Sequence, residues 1–146
     1  MRYDVLIIGA GAAGFACALT LGSANDKFDW AKDKKYLILD DNKSDLNVGK
    51  YFNVAGVDSG INGVDLLLKM KKQLEIYKDV ELKDEKATKI ENLGEYFKVI
   101  TENSTYEASI VVLATGLHKF DIECEDVNVK DNIFVPKPNN IYLENS

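Results

Sequence analysis

The chain has 146 residues, 46% of them hydrophobic, and a formal net charge of −6 at neutral pH. That length and apolar content suit one domain with a core of its own, here 1–146, and leave little room for two. The acidic balance, without a lysine or arginine cluster, excludes a nucleic-acid footprint. Two cysteines far apart and a single histidine exclude a local C-x-x-C redox pair and a histidine-rich metal site.

Tyr3-Asp4-Val5-Leu6-Ile7-Ile8 reads as a strand buried on both faces, as central parallel strands are. It runs directly into Gly9-Ala10-Gly11-Ala12-Ala13-Gly14, a G-x-G-x-x-G turn. Small residues suited to a helix follow over 12–22, with Phe15 and Leu19 sharing a face and Gly22-Ser23 as the stop. This is the strand–turn–helix opening of a dinucleotide-binding unit. Gly9 permits the tight turn, Gly11 lets the backbone approach a pyrophosphate, and Gly14 lets helix pack on strand. The N-terminal end of the helix then faces the phosphates with free amides and a positive dipole. The apolar span from Val5 to Leu21 has the look of a leader. Asp4, the three glycines and the lack of a distinct cleavage site speak against that and against a membrane helix, so the expectation is a cytoplasmic protein without membrane contact.

Asn25 to Lys35 is polar and long for such a connection, and Phe28 and Trp30 within it are expected to pack against the domain. Tyr36-Leu37-Ile38-Leu39-Asp40-Asp41 is a second strand ending in two acids. An acidic residue at that place accepts hydrogen bonds from the adenosine ribose hydroxyls. Asp40 stands where it is needed, and Asp41 competes for the role. A carboxylate there repels a 2′-phosphate, which makes NADP the least suitable ligand.

Residues 42–62 carry no period and read as a loop. Asn62 then caps a helix, with Asp65 as its capping-box partner and Leu67, Met70, Leu74 and Tyr77 as the core stripe. Val80-Glu81-Leu82, 86–91, 96–101 and 105–108, separated by turn residues, suggest an antiparallel meander. Ile110-Val111-Val112-Leu113 is again a buried parallel strand, ended by Ala114-Thr115-Gly116. Beyond it the chain thins into an acidic loop and an irregular tail over 120–146, with one further strand expected over 132–135.

The remaining reactive groups point elsewhere than catalysis. Cys17 reads as a small buried hydrophobe. Glu123, Glu125 and Asp126 around Cys124 would raise its thiol pKa and read as a solvated loop rather than a cation site. His118 has no partner that the sequence can place, so the catalytic residues are unknown and no metal ligands are assigned.

The order of these pieces resembles the FAD-binding domain of the low-molecular-weight thioredoxin reductases, within the pyridine-nucleotide-disulphide oxidoreductases. Three stretches carry the resemblance. They are D-V-L-I-I-G-A-G-A-A-G at the start, Asn53-Val54-Ala55-Gly56 through Gly60-Ile61-Asn62-Gly63-Val64-Asp65-Leu66-Leu67-Leu68-Lys69-Met70, and Val111-Val112-Leu113-Ala114-Thr115-Gly116. The second is similar to the family's V-E-N-x-P-G loop and G-I-x-G-x-E-L-M helix, and the third to its A-T-G strand end.

The resemblance implies an α/β fold, a Rossmann-like FAD/NAD(P)-binding domain whose central parallel sheet carries an antiparallel β-meander. It implies FAD, with NAD as the alternative, held by Gly9, Gly11, Ala12, Ala13 and Gly14 at the pyrophosphate and by Asp40 or Asp41 at the ribose. Ala87 would lie beside the adenine, Asn53 near the flavin, and Ala114, Thr115 and Gly116 over the adenosine and phosphates. There are departures. The family's Gly-Gly-Gln segment is replaced by Asn42-Lys43-Ser44-Asp45-Leu46-Asn47. Pro136-Lys137-Pro138 stands where a Gly-Asp is expected. The about thirty residues after Gly116 are too few for the family's NADPH domain with its C-x-x-C pair. The expectation is a flavin-dependent oxidoreductase domain that needs a redox partner protein or free NAD(P)H, and a homodimer if a second subunit completes the flavin-ring side. The alternatives are a non-catalytic nucleotide-binding module, as sensor or electron-transfer subunit, and a degenerate scaffold.

Overall fold

The computed structural model describes residues 1–25, 27–116 and 121–125. His118, the strand expected over 132–135, Pro136-Lys137-Pro138 and most of the 120–146 tail lie outside the described residues. The chain opens with β1 (Arg2–Ile8) and α1 (Ala12–Asn25), then passes a 3-10 turn (Asp29–Ala31) to β2 (Tyr36–Asp40). A second 3-10 turn (Asp45–Val48), the short strands β3 (Lys50–Tyr51) and β4 (Ile61–Asn62), and α2 (Gly63–Leu74) follow. β5 (Val80–Asp84), β6 (Ala87–Asn92), β7 (Phe97–Thr101), β8 (Thr105–Leu113) and β9 (Glu123–Glu125) complete the described elements.

The main sheet has seven strands in the order β5-β2-β1-β8-β7-β6-β9. β5, β2, β1 and β8 pair in parallel, while β8, β7 and β6 form the antiparallel meander. This is the Rossmann-like α/β arrangement expected. β1 lies in the middle because every residue from Val5 to Ile8 is buried and can meet a layer on either side. On one face Val5, Ile7, Tyr36 and Ile38 pack against Phe15 and Ala18 of α1 and Leu74 of α2. On the other, Leu6, Ile8, Leu37 and Leu39 meet Ile90, Val99, Ala108 and Ile122 under the folded-over meander. Tyr3 joins the second layer, where its hydroxyl donates to Glu81 Oε2 at 3.0 Å; burial and that carboxylate push its pKa up to about 12.

Several local expectations give way to tertiary contacts. α1 runs through Gly22 to Asn25, because that glycine is a packing contact rather than a stop. A Cβ there would stand 2.8 Å from the Tyr77 ring and 3.0 Å from Val80 Cγ2. Tyr77 therefore packs from beyond the end of α2 instead of extending its stripe. Val80–Asp84 is not part of the meander: it follows a helical crossover and so pairs in parallel with β2. Residues 105–108 and 110–113 are one nine-residue strand, Thr105–Leu113, since a single residue between them is too short for a turn and the strand pairs with β7 at one end and β1 along most of its length. β8 is thereby both the last meander strand and the neighbour of β1.

The stretch 42–62 is not plain loop but a 3-10 turn and the β3–β4 pair. Phe28 and Trp30 are not packed on the domain. They are 52% and 65% exposed and stack on each other, with ring centroids 5.8 Å apart. The acidic segment at 123–125 is a strand parallel to β6, not a solvated loop. Lys89 Nζ on β6 meets Glu125 at 2.6 Å, Glu91 at 3.1 Å and Glu123 at 3.8 Å. Cys17 and Cys124 are each half-buried against a core layer, and burial pushes both thiols up. For Cys124 burial is the cause, not the neighbouring carboxylates.

Candidate nucleotide-binding site

The site grows from the carboxyl ends of the parallel strands. Gly9 donates its N–H to the Leu39 carbonyl at 2.8 Å, and Ala114 donates to the Ile8 carbonyl at 2.8 Å. The ends of β2 and β8 are thus stitched to the end of β1. Gly9 adopts φ +103°, which L side chains rarely adopt, and a Cβ on it would overlap the Ala114 carbonyl. A Cβ on Gly14 would overlap the Gly9 carbonyl oxygen, so only glycine lets α1 sit this close to the turn. Gly11 is different: the nearest atom to a Cβ there is Ser44 Oγ, at 3.4 Å. Apart from its chain neighbours, no other described atom lies within 4 Å of that position.

Ala12 and Ala13 are exposed in the first turn of α1, and that turn carries no acidic residue. The first N–H groups of a helix have no partner within it, and here no carboxylate side chain of that turn occupies the positive end. Such a turn presents amides and half a positive charge to an anion.

Asp40, half-buried at the end of β2, faces this turn. Its Oδ1 accepts the Ala10 N–H at 3.1 Å. Burial raises its carboxyl above the ordinary value, and the charges of Asp41 and Asp84 add to that, while hydrogen bonds from the Ala10 and Asn42 backbone pull it down. Asp41 is exposed and accepts the Lys43 N–H at 3.1 Å, closing its own loop. Of the two acids, Asp40 is the one joined to the glycine turn.

The structure therefore brings together Gly9, Gly11, Gly14, Asp40, Ala114, Thr115 and Gly116, with Ala12 and Ala13 on the helix edge. Ala87 begins β6 and is buried with Leu37 and Leu39 in the meander-side core. Asn53 is exposed in the loop between β3 and β4, and no described hydrogen bond ties it to the glycine turn.

Two residues escaped sequence reasoning. Ser44 and Asp45 sit at the start of the second 3-10 turn and lie beside Gly11 and Gly116. Ser44 Oγ faces Gly11, and Asp45 Oδ2 lies 3.4 Å from a Cβ position on Gly116. A serine followed by an acid is a helix-start signal and could have located the turn. Nothing in the residues says where that turn points.

A family model described as pyridine nucleotide-disulphide oxidoreductase matches residues 3–143. The thioredoxin reductase of Treponema pallidum is 31% identical over 114 residues, covering 78% of this chain and 35% of that protein. A solved thioredoxin reductase from Streptococcus pyogenes MGAS5005 is 34% identical with a TM-score of 0.70, covering 82% of this chain and 37% of its own. One from Gloeobacter violaceus has a TM-score of 0.71 at 27% identity, covering 82% and 38%. The chain spans little more than a third of the length of each of these relatives.

Proposed function

The chain belongs to the pyridine nucleotide-disulphide oxidoreductase family, and from that premise we propose that it is an FAD-binding domain serving a flavin-dependent, thioredoxin-reductase-like oxidation–reduction. The observation that carries this reading is the cradle itself. Gly9 and Gly14 close the turn so tightly that no side chain fits, while Gly11 leaves its outer side open beside an anion-accepting helix end. That donor set fits a pyrophosphate. Gly9, Gly11, Ala12, Ala13 and Gly14 hold it through backbone amides, Asp40 accepts the adenosine ribose hydroxyls, and Ala114, Thr115 and Gly116 wall the opposite side.

When bound, the flavin supplies the hydride or electron chemistry, and the protein supplies binding and orientation. Asp40 holds the glycine turn through Ala10 and turns its carboxylate to the ribose. In this reading the electrons come from a partner protein or from free NAD(P)H. The replacement of Gly-Gly-Gln by Asn42–Asn47 leaves the ring end to be completed by a partner or a second copy of the chain.

An absorption spectrum of the purified chain after incubation with FAD tests this. A bound flavin spectrum that bleaches with NADH supports a catalytic domain. A bound flavin that NADH leaves oxidised identifies a module that depends on a separate reductase. A chain that stays colourless overturns the FAD reading.

A further inference from the structure

The outer face of α2 borders an open cleft of about 700 Å³, walled on its other side by β3, β4 and the turn at 58–60. Asp65, Leu68, Lys69 and Lys72 fall on one helical stripe, and all four line it. Leu66 and Leu74, on the other side of the helix, are buried. Leu68 instead stays 58% exposed within the cleft, next to the buried Ile61. The exposed Phe52 ring stands at the rim, 3.2 Å from a Cβ position on Gly60. Three lysines, Lys50, Lys69 and Lys72, line the cleft against two acids, Asp58 and Asp65. Lys69 reaches Asp58 at 3.7 Å, but that carboxylate is 95% exposed, so the pair is loose. Lys50 and Lys72 form no ion pair among the described residues. The lining is thus net positive on a chain whose formal net charge is −6.

We propose that this cleft docks an acidic peptide segment of a partner protein, one with an apolar side chain between its carboxylates. The inference stands apart from the flavin reading, because the cleft uses none of the residues assigned to FAD. Charge complementarity selects the occupant: its carboxylates meet Lys50, Lys69 and Lys72, while its apolar side chain covers Leu68 and the edge of Phe52. An apolar centre ringed by charge is the anatomy of a protein contact. A free inorganic anion would leave Leu68 in water. A second copy of this acidic chain suits the cleft less, since two such chains repel each other. The lysines are exposed, so the attraction acts in water and weakens with salt.

The test is fluorescence anisotropy of a labelled peptide, EEDLLDEE, titrated with the full chain at about 0.1 M salt, where screening over about 10 Å keeps the cleft's own charges dominant. Saturable binding is expected, weakened about fivefold by Lys69→Glu and by Lys72→Glu. Lys32→Glu changes the net charge equally at an exposed position outside the cleft, and should stay within about twofold of the wild type. Leu68→Ser should weaken EEDLLDEE about fivefold and leave EEDSSDEE unchanged. Lys72→Ala, with a loss of about twofold, serves should the charge reversal disturb α2. Absence of saturable binding, or an equal loss in Lys32→Glu, overturns the proposal. So does sedimentation in which the wild type dimerises and Leu68→Ser does not, because a second copy then fills the cleft. FAD spectra of the same proteins keep the two readings apart. Flavin loading without peptide binding sinks only the docking, and peptide binding by a chain that takes no FAD sinks only the flavin reading.

Discussion

Asp40 Oδ1 accepts the backbone N–H of Ala10 at 3.1 Å, tying the end of the second strand to the middle of the glycine turn. One carboxylate thus shapes the glycine turn and, in the proposed FAD reading, also meets the ribose. The fold tolerates it at a cost, because burial and the nearby charges of Asp41 and Asp84 disfavour its ionised form.

Asp40→Asn separates these roles. Because the folded carboxyl lies above its unfolded value, the stability tied to it is full below the unfolded value and declines as pH rises through the folded one. Asparagine keeps an acceptor for Ala10 and does not titrate. The variant should be at least as stable as the wild type at pH 7, and its advantage should shrink as pH falls through the folded Asp40 value. FAD affinity should fall about tenfold with the loss of a charge-assisted hydrogen bond. Urea titrations from pH 3 to pH 7, with calorimetry of FAD, check both halves.

Gly14→Ala should strike the fold rather than the ligand contact. Its Cβ overlaps the Gly9 carbonyl, a backbone atom that cannot swing away. Forced overpacking of this kind costs about 1–3 kcal/mol or more. Denaturant unfolding should show that loss without any ligand present, and an unchanged midpoint would contradict the packing described.

Glu85 knits the β5–β6 connection to the β7–β8 turn. Thr101 Oγ1 donates to Glu85 Oε2 at 2.6 Å, and Tyr106 and Ser104 donate to Oε1 at 2.7 and 3.4 Å. These donors hold its carboxyl below the ordinary value. Its contribution is therefore present above the unfolded carboxyl value and lost as pH falls through the folded one. Glu85→Gln should lower the melting temperature at pH 7 and converge with the wild type in acid. Melting curves that stay parallel at every pH would refute this.

Lys89→Ala should release β9 without loosening the sheet. The three carboxylates around Lys89 lose their shared cation, and like charges on adjacent strands then repel. Hydrogen exchange at 123–125 should accelerate while β1 and β2 stay protected. Equal protection in both proteins would show that backbone pairing alone holds β9.

What the residues announce by themselves is whatever depends on neighbours in sequence. β1, the glycine turn, β2 and the Asn62 cap, whose side chain accepts the Val64 N–H at 3.0 Å, each rest on spacing within a few positions. Gly22 misleads because its partners, Tyr77 and Val80, are more than fifty residues away and arrive only with the packing of α2. β9 hides for the same reason: the acids on either side of Cys124 look solvated until Lys89 is placed beside them. The choice between Asp40 and Asp41 needs the turn's third dimension. The Ser44–Asp45 turn needs Tyr51 and Gly63, from two later elements that pack on its Leu46 carbonyl.

The central claim is that Gly11 faces a pyrophosphate, and titration of FAD into the wild-type chain, Gly11→Ala and Gly11→Val tests it most directly. Ser44 Oγ, at 3.4 Å, is the only described neighbour a Cβ would meet, so both variants should keep the wild-type circular dichroism and unfolding midpoint within about 1 kcal/mol. FAD binding should be saturable in the wild type, weaker in Gly11→Ala and lost in Gly11→Val. Folded variants that bind FAD as tightly as the wild type would contradict the account.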